Sequence, residues 1–94
     1  MPVAVARIEL AIPSSHSLKD KRHVVKSIIE RLRNRYNLSV AEIEYMDMWQ
    51  RAVIGMACIA NDGSVANEEI NKALNYIESG EGEYQVINIE VELL

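Results

Sequence analysis

The sequence has no phenylalanine, one tryptophan, one cysteine and two prolines among its 94 residues. Each shortage excludes something. A lone Cys58 cannot form an intrachain disulfide, and it fits a reducing, cytoplasmic setting better than a disulfide-stapled secreted one. Without phenylalanine, the core must rest on Ile, Val, Leu, Ala and Met. Long apolar runs are missing too. The longest, Ala52 to Ala60, falls far short of the roughly 20 residues a membrane-spanning helix needs. The apolar N-terminal stretch is interrupted by Arg7 and Glu9 and lacks a basic leader, so it is not expected to act as a signal peptide.

What remains is a chain with 49% hydrophobic residues, enough for a packed core and too many for disorder. One domain spanning residues 1–94 is expected from the length. Charge is unevenly placed. Residues 1–51 carry nine Lys/Arg against six Asp/Glu, and residues 52–94 carry one Lys against eight acids, giving the net −4. Seven of the ten basic residues fall between Lys19 and Arg35. A cationic strip on an acidic protein points to an anionic partner, such as phosphate, RNA or an acidic protein surface. Charge runs are also commonly no more than solvated faces.

Hydrophobic spacing gives six elements. Ala4, Ala6, Ile8, Leu10 and Ile12 alternate with Val5, Arg7 and Glu9, the pattern of a half-buried strand that Pro13 ends. Ser17 is a good N-cap with Asp20 three residues on. From there Leu18, Val25, Ile28, Ile29, Leu32 and Tyr36 repeat at helical spacing, and Asn37 is a plausible stop. A strand comes next in which Ala41, Ile43 and Tyr45 alternate with Glu42 and Glu44. A second, from about Arg51 to Ala60, is apolar on both faces and should be central. Asn61-Asp62-Gly63 signals a turn, and Ser64 can cap a helix whose Ile70, Ala73, Leu74 and Ile77 face inward. Residues 80–83 form a link. Ile87, Ile89, Val91 and Leu93 then alternate with polar residues in a last strand. The order β-α-β-β-α-β, with both helices on one face of a four-stranded antiparallel sheet, is the ferredoxin-like α+β arrangement. It hosts many unrelated functions.

At 100° per residue, Lys19, Arg22, Lys26 and Arg33 share one band of the first helix, and Lys21 lies close to the apolar stripe with its ammonium expected to emerge at the helix end. These five, Lys19, Lys21, Arg22, Lys26 and Arg33, form the candidate anion- or RNA-binding surface. Cations crowded into the first turns oppose the macrodipole, as they would beside a bound anion, although the Ser17 cap and Asp20 can offset the cost. Catalysis is not expected. The loop from Pro13 to Ser17 has no glycine with which to cradle a phosphate. His16 and His23 have no partners at metal-ligand spacing, and Cys58 has no base beside it in sequence. No metal, cofactor or membrane partner is expected.

The outer sheet face offers acids and no aromatic platform, so RNA, if bound, should lie along the helix. Val3, Val5, Met46 and Met48 are expected to form an apolar patch on that same face. Such a patch suits self-association. Trp49 and Arg51 belong to residue types enriched at binding hot spots.

The stretches Pro13-Ser-Ser-His-Ser-Leu-Lys-Asp-Lys-Arg22, Val40-Ala-Glu42 and Asp47-Met-Trp-Gln-Arg-Ala52 resemble the YlxP-like family of small bacterial proteins of unknown function, and the likeness spans essentially the whole chain. The resemblance implies a ferredoxin-like fold and a cytosolic bacterial setting. Family members are often encoded beside translation and ribosome-maturation genes, which implies a link to RNA or ribosomes. No catalytic residue comes with the resemblance. Two expectations from different classes result. One is a non-catalytic accessory docking RNA or a ribosomal particle through the basic helix. The other is a homo-oligomer assembled through its sheet and binding a small anion or a protein.

Overall fold

Alternation builds the sheet. The computed structural model describes residues 1–80 and 82–94; Glu81, inside the expected link at 80–83, lies outside the described residues. Strand β1 (Val3–Ala11) buries every second side chain from Ala4 to Leu10, as its period-two pattern predicts. It pairs antiparallel with β3 (Arg51–Ile59) on one side and β4 (Gln85–Leu93) on the other. Strand β2 (Ser39–Glu44) pairs antiparallel with the far edge of β3, so the sheet order is β2-β3-β1-β4. Helices α1 (Leu18–Arg35) and α2 (Gly63–Glu78) both contribute to one core with the inward side chains of the strands. The fold is the ferredoxin-like α+β arrangement expected from the element order. Helix α1 leans over β2, and α2 covers β1, β3 and part of β4.

The caps obey local chemistry, with one difference from the sequence reading. The Ser17 hydroxyl accepts from the Asp20 N–H at 3.0 Å, and the Asp20 carboxylate accepts in return from the His16 N–H at 3.1 Å. That reciprocal pair satisfies the Asp20 N–H inside the first turn of α1 and the His16 N–H just before the helix. Helix α2 is capped by Asp62 rather than Ser64. Asp62 accepts from both the Ser64 hydroxyl and the Ser64 N–H, each at 2.8 Å, and these two bonds hold its carboxyl below the usual carboxylate range. An Asx-type cap two residues upstream wins because a carboxylate accepts more strongly than a hydroxyl.

Two bulges re-aim side chains. In β2 the register slips between Glu42 and Glu44, leaving Ile43 as the extra residue. Before the slip Val40 and Glu42 face the helices, opposite to the alternation expected for this strand, and Ile43 lies on the outer face over Gly55; after it Glu44 is also outward, opposite Val53. A Cβ on Gly55 would stand 3.0 Å from Ile43 Cδ1, so a glycine suits the close approach. In β4 the slip falls opposite Glu9 and Leu10, so Val86 rather than Ile87 points at the core. Gly80 has a similar reason. Its Cβ would strike the Tyr84 hydroxyl, which donates to the Ile77 carbonyl at 2.7 Å and ties the end of α2 to the approach of β4.

The outer face is half ionic and half apolar. Arg7 bonds Glu44 and lies 3.9 Å from Glu90, and Arg51 bonds Glu9. Val53, which sits between Glu9 and Glu44 in register, is fully buried under this charged cover. Toward the other end, Val3, Val5, Ala57 and Ile59 face outward and are covered by no element.

Candidate functional site

Lys21 is the residue that orders one end of the molecule. It lies on the buried stripe of α1 between Val24, Val25 and Leu18, where sequence spacing predicts an apolar side chain, and it is fully buried. Its ammonium has three donors, and three acceptors meet them. Glu42 Oε2 lies 2.8 Å away, the Tyr45 carbonyl 2.8 Å and the Met46 carbonyl 3.3 Å. Lys21 is therefore not part of an exposed cationic surface, contrary to the sequence expectation. Its stem runs inward along the stripe rather than out at the helix end, because Glu42 has been turned inward to receive it.

The same bonds shape the β2–β3 loop. Tyr45 adopts a left-handed backbone, φ 63°, which costs a non-glycine residue about 1–3 kcal/mol unless its surroundings impose it. Here the surroundings do so. The Lys21 ammonium grips two successive loop carbonyls, and the Met48 N–H closes on the Tyr45 carbonyl at 3.0 Å. Gln50 fixes the loop's far side. Its side-chain amide donates to the Pro13 and Ser15 carbonyls, both at 3.1 Å, and its own carbonyl accepts from Ile12. Held from both sides, the loop presents Met46, Met48 and Trp49 to solvent, each about half exposed.

Met46 and Met48 consequently do not share a face with Val3 and Val5. Val3 pairs with Ile59 at one end of the sheet, whereas the methionines sit in the loop before Arg51 at the other end, and Met46 lies against α1 beside Arg22 and Lys26. The alternation that suggested a common patch ends at the Ile43 bulge. Val3 and Val5 do lie together on the outer face. There they flank an open groove of about 660 Å³ whose lining includes Val5, Ala41, Ile43, Gly55 and Ala57, with Glu90 and Glu92 on its β4 side.

Three of the expected cations converge. Lys19, Arg22 and Lys26 line one groove of about 550 Å³, together with Ser14 and Ser15 from the β1–α1 loop and His23. Asp20 and Glu83 also border it, so its sign is mixed at the rim. Among the described residues, Lys19 and Arg22 make no hydrogen bond or ion pair, and Lys26 reaches only Glu30 at 4.0 Å, an exposed i,i+4 contact of small worth. Arg33 donates to the Val40 carbonyl at 2.6 Å, which anchors β2 to the helix but leaves the residue exposed. On the opposite flank, Arg35 lies 4.4 Å over the Tyr76 ring, which meets Tyr36 edge-on.

No catalytic constellation is assembled around these groups. No three His, Cys, Asp or Glu side chains gather as a metal-binding group among the described residues. Cys58 is buried, and desolvation, with a smaller push from Glu69, raises its thiol above the ordinary range, so it is a poor nucleophile. No helix among the described residues is long and apolar enough to cross a membrane.

The element order and sheet define a small ferredoxin-like α+β domain. The chain belongs to a family described as "Protein of unknown function (DUF503)", which it matches over residues 3–91. It is 36% identical over 77 residues to the uncharacterized protein YlxP of Bacillus subtilis (strain 168), covering 82% of this chain and 84% of that protein. Among solved structures, the de novo designed protein Foldit4 aligns over all of this chain and 97% of its own, with a TM-score of 0.54 and 14% identity. At that identity the likeness concerns the fold alone. The signal for Lys21's role was present in the sequence as a charge on the apolar stripe. Its partners were not, since Glu42 and the loop carbonyls lie more than twenty residues away.

Replacing Lys21 by Ala should destabilise the protein by about 3–5 kcal/mol, because Glu42 is left buried without its cation. A Lys21→Met/Glu42→Leu pair should recover most of that loss. Urea denaturation of the two single variants and the pair measures it; a cost below about 1 kcal/mol for Lys21→Ala would contradict the assignment.

Proposed function

We propose that this protein is a non-catalytic docking module that binds RNA through the exposed cations of α1. The observation that carries the reading is the state of Lys19, Arg22 and Lys26. They line one groove, yet have almost no partners within the chain. On a protein of net charge −4, the exposed Lys19, Arg22 and Lys26 concentrate positive potential on one side of α1. Along α1 these three cations recur about every 4.5–6 Å. A line of evenly repeated cations suits a polyanion with charges in series better than a compact anion.

RNA binding of this kind should weaken steeply with salt, since each phosphate contact releases condensed cations. Lys19→Glu, Arg22→Glu and Lys26→Glu combined should leave the fold intact, as exposed substitutions usually cost within about 0.5 kcal/mol each. The triple variant should lose measurable affinity for ribosomal RNA titrated at two salt concentrations. Salt-insensitive binding, or equal binding by the variant, would leave α1 as a solvated face.

A second reading rests on a different surface. The outward-facing Val3, Val5, Ile43, Ala57 and Ile59 form an apolar half-face beside the ion-paired one, and monomers seldom leave such a surface open. It suits pairing of two copies through the sheet. Sedimentation over a micromolar concentration series should then give a mass that rises toward a dimer, and Ile59→Glu should hold the protein monomeric. A constant monomer mass at high micromolar concentration excludes this reading.

A further inference from the structure

The loop that Lys21 and Gln50 hold in place carries groups that the cationic groove does not use. Trp49 is 54% exposed, and it is the chain's only tryptophan. A large ring is seldom left in water on a segment held this firmly. The loop is tethered by four hydrogen bonds, from Lys21 to the Tyr45 and Met46 carbonyls and from Gln50 to the Pro13 and Ser15 carbonyls, at 2.8 to 3.3 Å. Rigidity matters because an aromatic platform held in place loses little freedom when a flat ligand stacks on it. The Gln50 bonds also fix where the platform stands. They join Trp49's neighbour to the Pro13–Ser15 segment, and Ser14 and Ser15 line the groove that holds Lys19, Arg22 and Lys26. The ring and the row of cations thus share one end of the molecule.

We infer that this end binds single-stranded RNA, with an unpaired base stacked on Trp49 while neighbouring phosphates lie along Lys19, Arg22 and Lys26. The inference rests on the RNA reading above and narrows it to one strand state. A duplex offers its phosphates but keeps its bases stacked on each other, so it has nothing to place on Trp49. A single strand offers both. Base–aromatic stacking tolerates any sequence, because every base has a π-face, so affinity should depend little on base order. Met46 and Met48, half exposed in the same loop, offer adaptable apolar contacts to a base or ribose edge. Charge complementarity selects the nucleic acid over an apolar partner, since Lys19, Arg22 and Lys26 line the groove whose Ser15 wall is bonded by Gln50, Trp49's neighbour.

The test uses the intact protein and the emission of its single tryptophan. Single-stranded and duplex RNA of equal length are titrated at low and moderate salt, with labelled RNA anisotropy measured alongside. Single-stranded RNA should quench Trp49 emission and bind more tightly than the duplex. Trp49→Ala should weaken single-strand binding by about fivefold or more, Trp49→Phe should retain most of it, and duplex binding should be unchanged by either. Circular dichroism of each variant confirms that the fold is kept. Single-strand binding with unchanged emission and no effect of Trp49→Ala overturns the stacking inference and leaves the cationic surface standing. Duplex binding equal to or tighter than single-strand binding does the same. No RNA binding at all overturns both readings. Binding of an acidic amphipathic peptide in place of RNA also overturns both, and assigns this end to a protein partner.

Discussion

One buried ammonium holds one end of this molecule together. Lys21 occupies a position on α1 that the helix's spacing reserves for an apolar side chain. Removing an ammonium from water costs several kcal/mol, and a single carboxylate seldom compensates for it. Here Glu42 and two loop carbonyls complete its coordination, so each of the three donors has a partner. The consequences spread from there. Glu42 faces the helices to meet Lys21, Ile43 takes the outer face over Gly55, and the bulge there puts Glu44 on that same outer face with Arg7. Tyr45 must turn left-handed to aim its carbonyl inward. The next residues of the loop, Met46 to Trp49, are thereby pushed into solvent next to the cations of α1.

Charge is sorted by this arrangement. On the outer sheet face most charges cancel locally: Arg7 against Glu44 and Glu90, and Arg51 against Glu9. Those pairs cover Val53 and add little long-range field. Among the basic residues of α1, Lys21 is neutralised internally, Arg31 and Arg33 are engaged with backbone carbonyls, and Arg35 lies on an aromatic ring. Lys19, Arg22 and Lys26 are left as the cations with almost no partner among the described residues. The distinction between a solvated face and a docking surface lies in such partners, and a count of basic residues does not reveal it.

The fold was readable from periodicity because its strands and helices obey one local rule each. Ala4 to Leu10 alternate, and Ile70, Ala73, Leu74 and Ile77 recur at helical spacing; both sets are buried as their spacing predicts. The misreadings cluster where distant contacts decide. A bulge shifts which face a residue takes, and nothing within Ala41 to Tyr45 announces that Glu42 answers a lysine twenty-one positions earlier. That one shift separates Met46 and Met48 from Val3 and Val5, which alternation alone had placed together. It also withdraws Lys21 from the cationic row. Lys19, Arg22 and Lys26 were legible because a helix keeps its phase, and phase is a local property. Membership in a family of unknown function adds no residue roles.

The shape of this end of the molecule depends most on Lys21 making the Tyr45–Gln50 loop rigid. The direct measurement is backbone ¹⁵N relaxation in the wild-type protein and in the Lys21→Met/Glu42→Leu pair, which removes the tether while keeping the site filled. Order parameters for residues 45–50 should lie near about 0.85 in the wild type and fall below about 0.6 in the pair, with β1, β3 and α2 unchanged. A loop equally rigid in both proteins, or mobile in the wild type, would contradict the role assigned to Lys21.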